Sequence, residues 1–132
     1  MMAGLVMGFD FGTRKIGIAV GQTITRTANE LAIIRARDGK PDWTELDKLV
    51  REWQPGKFVV GLPLNMDATM SEMGEAAQKF ARRLEGRYGI KAEMMDERLS
   101  TFEAREFADT DEDEVDGIAA RLILETWLKK ET

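Results

Sequence analysis

Three carboxylates stand in this sequence where an ionised group costs free energy unless something compensates it. Asp10 closes the most hydrophobic run of the chain and sits between Phe9 and Phe11. Glu97 follows Asp96 directly after the strand expected over residues 90–95, at the carboxyl edge of a sheet. Asp116, stepped at about 100° per residue, falls between Ile123 and Trp127 on a helical wheel and flanks an apolar stripe. Each has a structural explanation when taken alone. Asp10 could bond the turn amides near Gly12 and Thr13, Asp96 or Glu97 could pair with Arg98 or cap a helix, and Asp116 could be a first-turn acid favoured by the helix dipole. Together they say more, because three acids gathered at one sheet edge repel one another unless a divalent cation binds among them. The chain has no His and no Cys, so hard oxygen donors point to Mg²⁺ or Mn²⁺ rather than zinc.

Next to the first acid, Gly12-Thr13-Arg14-Lys15 is a tight turn carrying a hydroxyl and two cations. Backbone amides, Thr13, Arg14 and Lys15 could hold a phosphate there. Asn65, in Gly61-Leu62-Pro63-Leu64-Asn65, follows an apolar run and so falls at the carboxyl edge of a sheet, where open α/β folds bind ligands. A turn-forming role explains it equally well. The eight Met residues are scattered and read as core filler or surface.

Composition narrows the chemistry further. Without His or Cys there is no imidazole base, thiolate nucleophile or disulfide. Lys+Arg 19 against Asp+Glu 24 gives a net charge of -5 and a pI near 4.9. That balance argues against a protein that coats polyanions, though not against a localised nucleic-acid site. With 43% hydrophobic and 33% charged residues the chain is ordinary globular material, of a length that suits one domain over residues 1–132. No apolar run is long enough to span a membrane, and the apolar N-terminus lacks the basic leader and cleavage site of a signal peptide. A soluble, cytoplasmic protein is the expectation.

The elements that must position these residues follow from periodicity. Residues 5–11 read as a strand buried on both faces, and residues 16–20 return as the second arm of a hairpin. Residues 31–34 give a third strand, with the polar, Thr-rich stretch 21–30 as a turn. Leu46, Leu49, Val50 and Trp53 recur at helical spacing between Pro41-Asp42 and Pro55-Gly56. Residues 57–62 form a fourth strand. Met73, Ala76, Ala77, Phe80, Ala81 and Leu84 mark a second helix, and residues 90–95 a fifth strand. Ser100-Thr101-Phe102-Glu103 resembles a capping box opening a third helix, and residues 115–130 form a last one. The expected class is α/β, a mixed five-stranded sheet flanked by helices. The acidic run 109–114 reads as a solvated loop.

Four blocks in order, Asp10 to Ala19, Val60 to Asp67, Asp96 to Thr101 and Val115 to Ala120 with Ile123-Leu124, resemble the signatures of the YqgF family. Its members are bacterial proteins similar to Holliday-junction resolvases and assigned to processing of the 5′ end of pre-16S ribosomal RNA. The resemblance implies an RNase H-like fold and two-metal phosphodiester hydrolysis, with Asp10, Glu97 and Asp116 as catalytic metal ligands. It favours Glu97 over Asp96. It also implies that Thr13, Arg14, Lys15 and Asn65 steady phosphates, and that Arg98 and Thr101 support the second acid or the substrate backbone. Two departures from the family pattern stand out: a short acidic stretch at 109–114 where relatives often carry a longer basic one, and Ala68 in place of Gly.

The expected activity is therefore a divalent-metal nuclease acting on nucleic acid, pre-rRNA before DNA junctions, with ribosomal assembly factors as candidate partners and a monomer or homodimer as its state. A DNA resolvase would use the same acids. Two other classes stand beside it: a non-catalytic RNA- or ribosome-binding domain of the same fold, and a nucleotide-binding module. The second rests on Asp-Phe-Gly-Thr, which is similar to the phosphate loop of the actin and sugar-kinase superfamily, but that superfamily binds ATP between two lobes.

Overall fold

The computed structural model describes residues 4–63, 67, 70–96 and 112–130, with the backbone alone for 112–116. The chain runs β1 (Leu5–Asp10), β2 (Lys15–Gln22), β3 (Thr27–Arg37), β4 (Lys40–Pro41), α1 (Trp43–Trp53), β5 (Lys57–Leu62), α2 (Glu72–Tyr88), β6 (Ala92–Asp96) and α3 (Glu112–Lys130). One sheet of order β4-β3-β2-β1-β5-β6 joins the strands. The first four pair antiparallel as a meander. β5 and β6 then add parallel to β1 through helical crossovers. β1, β5 and β6 consequently finish at one edge, with Asp10, Leu62 and Asp96 as their last residues.

Strand alternation divides the core between the two faces of the sheet. Met7, Phe9, Ile16, Ile18, Ile34, Phe58 and Val60 face α1 and α2, meeting Leu46, Val50, Ala77, Phe80 and Leu84. Val6, Ala19, Ala28, Val59 and Met95 face α3, meeting Ala120, Ile123, Leu124, Trp127 and Leu128. Helix ends follow local chemistry. The Asp42 carboxylate accepts from the amides of Thr44 and Glu45 to cap α1, and the Ser71 hydroxyl accepts from the Gly74 amide to cap α2. α2 stops at Gly89, which adopts the left-handed conformation.

Three expectations need correction. The sheet has six strands, not five, because Asp38 and Gly39, both with positive φ, turn β3 back onto the two residues of β4. Pro41 has no amide to extend that ladder, and Asp42 at once begins a helix. The stretch 21–30 is mostly strand: the turn is confined to residues 23–26, with Arg26 at φ 56, and Thr27 to Glu30 pair with β2. The exposed Asn29 and Glu30 hide this arm from a hydrophobicity reading, because only Ala28 is buried there. The last helix begins at Glu112, three residues earlier than expected. The helix expected from Ser100 lies outside the described residues.

Candidate active site

Asp10 owes its position to β1. Phe9 is fully buried among the α1/α2 cluster and Phe11 joins it, so alternation turns Asp10 to the opposite face, in line with Val6 and Gly8. That is the face covered by α3. Asp10 is only half-buried, and its strand neighbour on β2 is Gly17. The two phenylalanines that make Asp10 conspicuous in the sequence thus pack away from it.

The turn after Asp10 is held from both sides. A Cβ on Gly12 would stand 2.5 Å from the Lys15 carbonyl oxygen, so no other residue fits without moving the backbone. The carbonyls of Thr13 and Arg14 accept from the amides of Gly39 (3.1 Å) and Ala36 (2.8 Å), tying the turn to the β3–β4 hairpin. Thr13 and Arg14 are exposed and Lys15 is half-buried. Lys15 and Gly17 lie on the Asp10 face, because Ile16 and Ile18 between them are buried on the other.

At the β6 end, Ala92 and Met94 pack toward α1 and α2, whereas Met95 joins the α3 cluster. The Trp127 indole of α3 donates to the Glu93 carboxylate at 2.7 Å. Asp96 therefore continues the Ala92, Met94 series and turns to the face opposite Asp10. Glu97, Arg98, Thr101 and Asn65 lie outside the described residues, as do Ala68 and residues 109–111. For Asp116 the backbone is described: it occupies α3 one turn before Ala120, which is fully buried against the sheet. Among the described residues no three acids converge; the side chains of Glu97 and Asp116 are not among them.

Supports absent from the sequence reading secure these elements. Ser71 donates its hydroxyl to the Pro63 carbonyl, so the cap of α2 also fixes the end of β5. Gly74 lets the helix approach, since a Cβ there would meet the Pro63 carbonyl oxygen at 3.0 Å. A Ser-x-x-Gly at a helix start was the available signal. Glu93, which anchors Trp127 and also pairs with Lys57 at 3.6 Å, was signalled only by the strict alternation of β6.

The family model described as "RuvX: Holliday junction resolvase" matches residues 4–130. A protein of Azotobacter vinelandii is 53% identical over 131 residues, covering 94% of this chain and 92% of that one. One from Aeromonas salmonicida is 47% identical over 138 residues, covering 99% of each. Both are provisionally named pre-16S rRNA nucleases. Among solved structures, RuvC of T. thermophilus in complex with a Holliday junction substrate matches with TM-score 0.56 at 12% identity, covering 97% of this chain and 95% of that one. The yeast mitochondrial Holliday junction resolvase Ydc2 matches with TM-score 0.54 at 8% identity, covering 94% and 77%. At such identities the likeness concerns the fold alone, which is RNase H-like. The resemblance carried by the four sequence blocks holds: the chain belongs to the RuvX, or YqgF, family.

Proposed function

We propose that the chain is a divalent-metal-dependent nuclease that hydrolyses phosphodiester bonds, acting on the 5′ end of pre-16S rRNA in the cytoplasm. The observation that carries this reading is the position of Asp10. It is a half-buried carboxylate at the end of the central strand, on the face that α3 covers, and α3 brings Asp116 to that side of the sheet. The alternation of β6, which turns Asp96 to the far face, supports Glu97 as the third acid. Family membership and the names of the relatives support the activity and the RNA.

The donor set fits Mg²⁺ or Mn²⁺, because a chain with no His and no Cys offers carboxylate oxygens to a hard cation. Asp10, Glu97 and Asp116 would hold it. When bound, such ions polarise the phosphodiester and provide a nucleophile at neutral pH. The protein's own part is to present the acids on fixed elements and to orient the scissile phosphate. Thr13, Arg14 and Lys15 do so from a turn whose backbone is locked by Gly12 and the β3–β4 hairpin, and the family resemblance assigns Asn65 the same task. Arg98 and Thr101 support Glu97 or the substrate backbone. Ribosomal assembly factors are candidate partners, and the acting unit is a monomer or homodimer of this one domain.

The resolvase description of the family favours a second substrate, a four-way DNA junction. Cleavage of a pre-16S 5′ leader and of such a junction, each with Mg²⁺, Mn²⁺ or EDTA, separates the two. Metal-dependent cutting of the leader, lost in Asp10→Asn, is expected. Cutting in EDTA, or undiminished activity in Asp10→Asn, would overturn the mechanism, and cutting of the junction alone would overturn the RNA assignment.

A further inference from the structure

On the Asp10 face, the β2–β3 ladder sets two cations side by side. Lys15 lies directly opposite Arg35. Their neighbours Ile16 and Ile34 are also paired and both are buried toward α1 and α2, so Lys15 and Arg35 turn to the other side. Ala36 packs against that same α1/α2 core, which sends Arg37 to the Asp10 face as well. Like charges opposed across a ladder repel one another. Arg35 and Arg37 are exposed, and among the described residues neither guanidinium has a hydrogen bond or ion pair.

α3 meets β3 where Gly117 lies against Glu30, and Arg35 is five residues further along the strand, about 17 Å at the usual rise. Laterally, β3 stands two strand spacings from β1, about 10 Å. The strip is also rigidly coupled to the candidate phosphate turn, because Ala36 and Gly39 donate to the Arg14 and Thr13 carbonyls. The acids on this side are Asp10 itself, Glu30 beside α3, Asp38 in the hairpin turn, Glu93 on β6, and those that α3 carries, Glu112, Asp113, Glu114, Asp116 and Glu125.

We propose that Lys15, Arg35 and Arg37 form a track for the phosphodiester backbone of a bound nucleic-acid strand, leading it from Asp10 across β2 and β3. The track rests on the nuclease reading above and says where the substrate strand lies. It also answers the net charge of -5: the cations that matter are concentrated on one strip of an otherwise acidic molecule, and charge neutralisation there is local.

Binding in EDTA, where no cleavage intervenes, tests it. Fluorescence anisotropy with a labelled pre-16S leader strand and with a labelled four-way DNA junction gives Kd against salt for the wild type, R35Q/R37Q, R35K/R37K, and R82Q/R83Q. The last pair is exposed on α2, on the opposite side of the sheet. R35Q/R37Q should bind at least one probe about tenfold more weakly, with the log-log salt slope reduced by about 2, and each single substitution should reduce it by about 1. R35K/R37K should restore the slope, and R82Q/R83Q should leave it unchanged. An unchanged slope in R35Q/R37Q, an equal loss in R82Q/R83Q, or no binding of either probe by the wild type would overturn the track. Separately, wild type that binds through the strip but cuts nothing with Mg²⁺ or Mn²⁺ would overturn the nuclease reading and leave the track standing.

Discussion

The two faces of the sheet are built from different materials. Toward α1 and α2 the core is aromatic: Phe80 packs on Phe9, Phe11 and Trp43 with ring centroids 5.5, 5.2 and 6.4 Å apart, and Tyr88 closes on Trp43 and Phe58. Toward α3, small residues of the sheet stand beside Val6, Val59 and Met95. Gly8, Ala19, Gly21 and Ala28 line the sheet, and a Cβ on Gly8 would stand 3.0 Å from the Leu124 Cβ. Large rings fill space and supply burial. Small residues let a helix backbone approach closely, so that its height above the sheet is set by contact. The close-packed face is the one that carries Asp10. One face stabilises the fold and the other fixes the distance between the strand of Asp10 and the helix of Asp116.

The largest effect separating the two belongs to the aromatic side. Phe80→Ala removes a side chain that is 2% exposed from the centre of the ring cluster, and should cost about 3–5 kcal/mol of stability. Urea unfolding measures it. If the faces divide their work as described, the variant that remains folded should cleave with a kcat close to wild type, whereas a fall in kcat matching that of a site variant would show that the aromatic face also sets the geometry of the acids.

Gly8→Val is the reciprocal test. Its methyl groups would enter a gap already closed by Leu124, and overpacking of this kind costs about 1–3 kcal/mol. The smaller stability loss should be accompanied by a disproportionate loss of activity, because α3 can yield only by lifting from β1. Denaturation midpoint and kcat, measured on the same preparation, decide it. Unchanged kcat with reduced stability would mean that the height of α3 does not matter to the chemistry.

The same contrast explains what could be read from the sequence. Asp10 was legible because a charge interrupts a continuous apolar run, and α3 because Ile123, Leu124 and Trp127 mark a stripe. The burial of those three residues bears that stripe out. What alternation adds is the side: Phe9 and Phe11 flank Asp10 in sequence but pack on the opposite face, and Asp96, beside Glu97 in sequence, turns away from Asp10. The β3 arm from Thr27 to Glu30 was illegible because it is held by ladder hydrogen bonds and buries little except Ala28. β4 was illegible because two residues have no period. Arg35 and Arg37 carry no signal in the sequence, since only the register with β2 reveals that Arg35 faces Lys15.

A smaller effect is expected at the far end of α3, away from Asp10. Trp127→Phe keeps most of the buried ring but removes the bond to Glu93 and weakens the stacking of Lys57, whose ammonium stands 5.3 Å from the indole centroid. The loss should be about 1 kcal/mol. Glu93→Gln, which retains an acceptor for the indole, should lose less. Equal losses in the two variants would assign the anchor to the Lys57–Glu93 ion pair and not to the indole hydrogen bond.

The smallest effect lies on the aromatic side and depends on pH. Asp47 of α1 accepts two hydrogen bonds from the Arg87 guanidinium of α2, at 2.8 and 2.7 Å, and one from the Tyr88 hydroxyl at 2.6 Å. The Arg87 hydrogen bonds first, and Tyr88 after them, hold the Asp47 carboxyl well below its ordinary value of 3.8. Burial and the same carboxylate raise the Tyr88 hydroxyl above its usual range. The folded state therefore binds the Asp47 proton less readily than the unfolded chain does. The contribution is complete above about pH 4 and is lost as acidification passes the unfolded value toward the folded one. Because the pair is partly exposed, with side-chain accessibilities of 42% and 30%, solvent and salt screen it. Asp47→Asn should lower stability at neutral pH by a modest, salt-sensitive amount and flatten the acid limb between pH 4 and pH 2, where the two curves converge. It should leave RNA cleavage at neutral pH unaltered, since the clamp joins α1 to α2 on the face that Asp10 does not share. An acid limb parallel to wild type would remove Asp47 from the acid response, and a fall in cleavage would tie the α1/α2 face to the site.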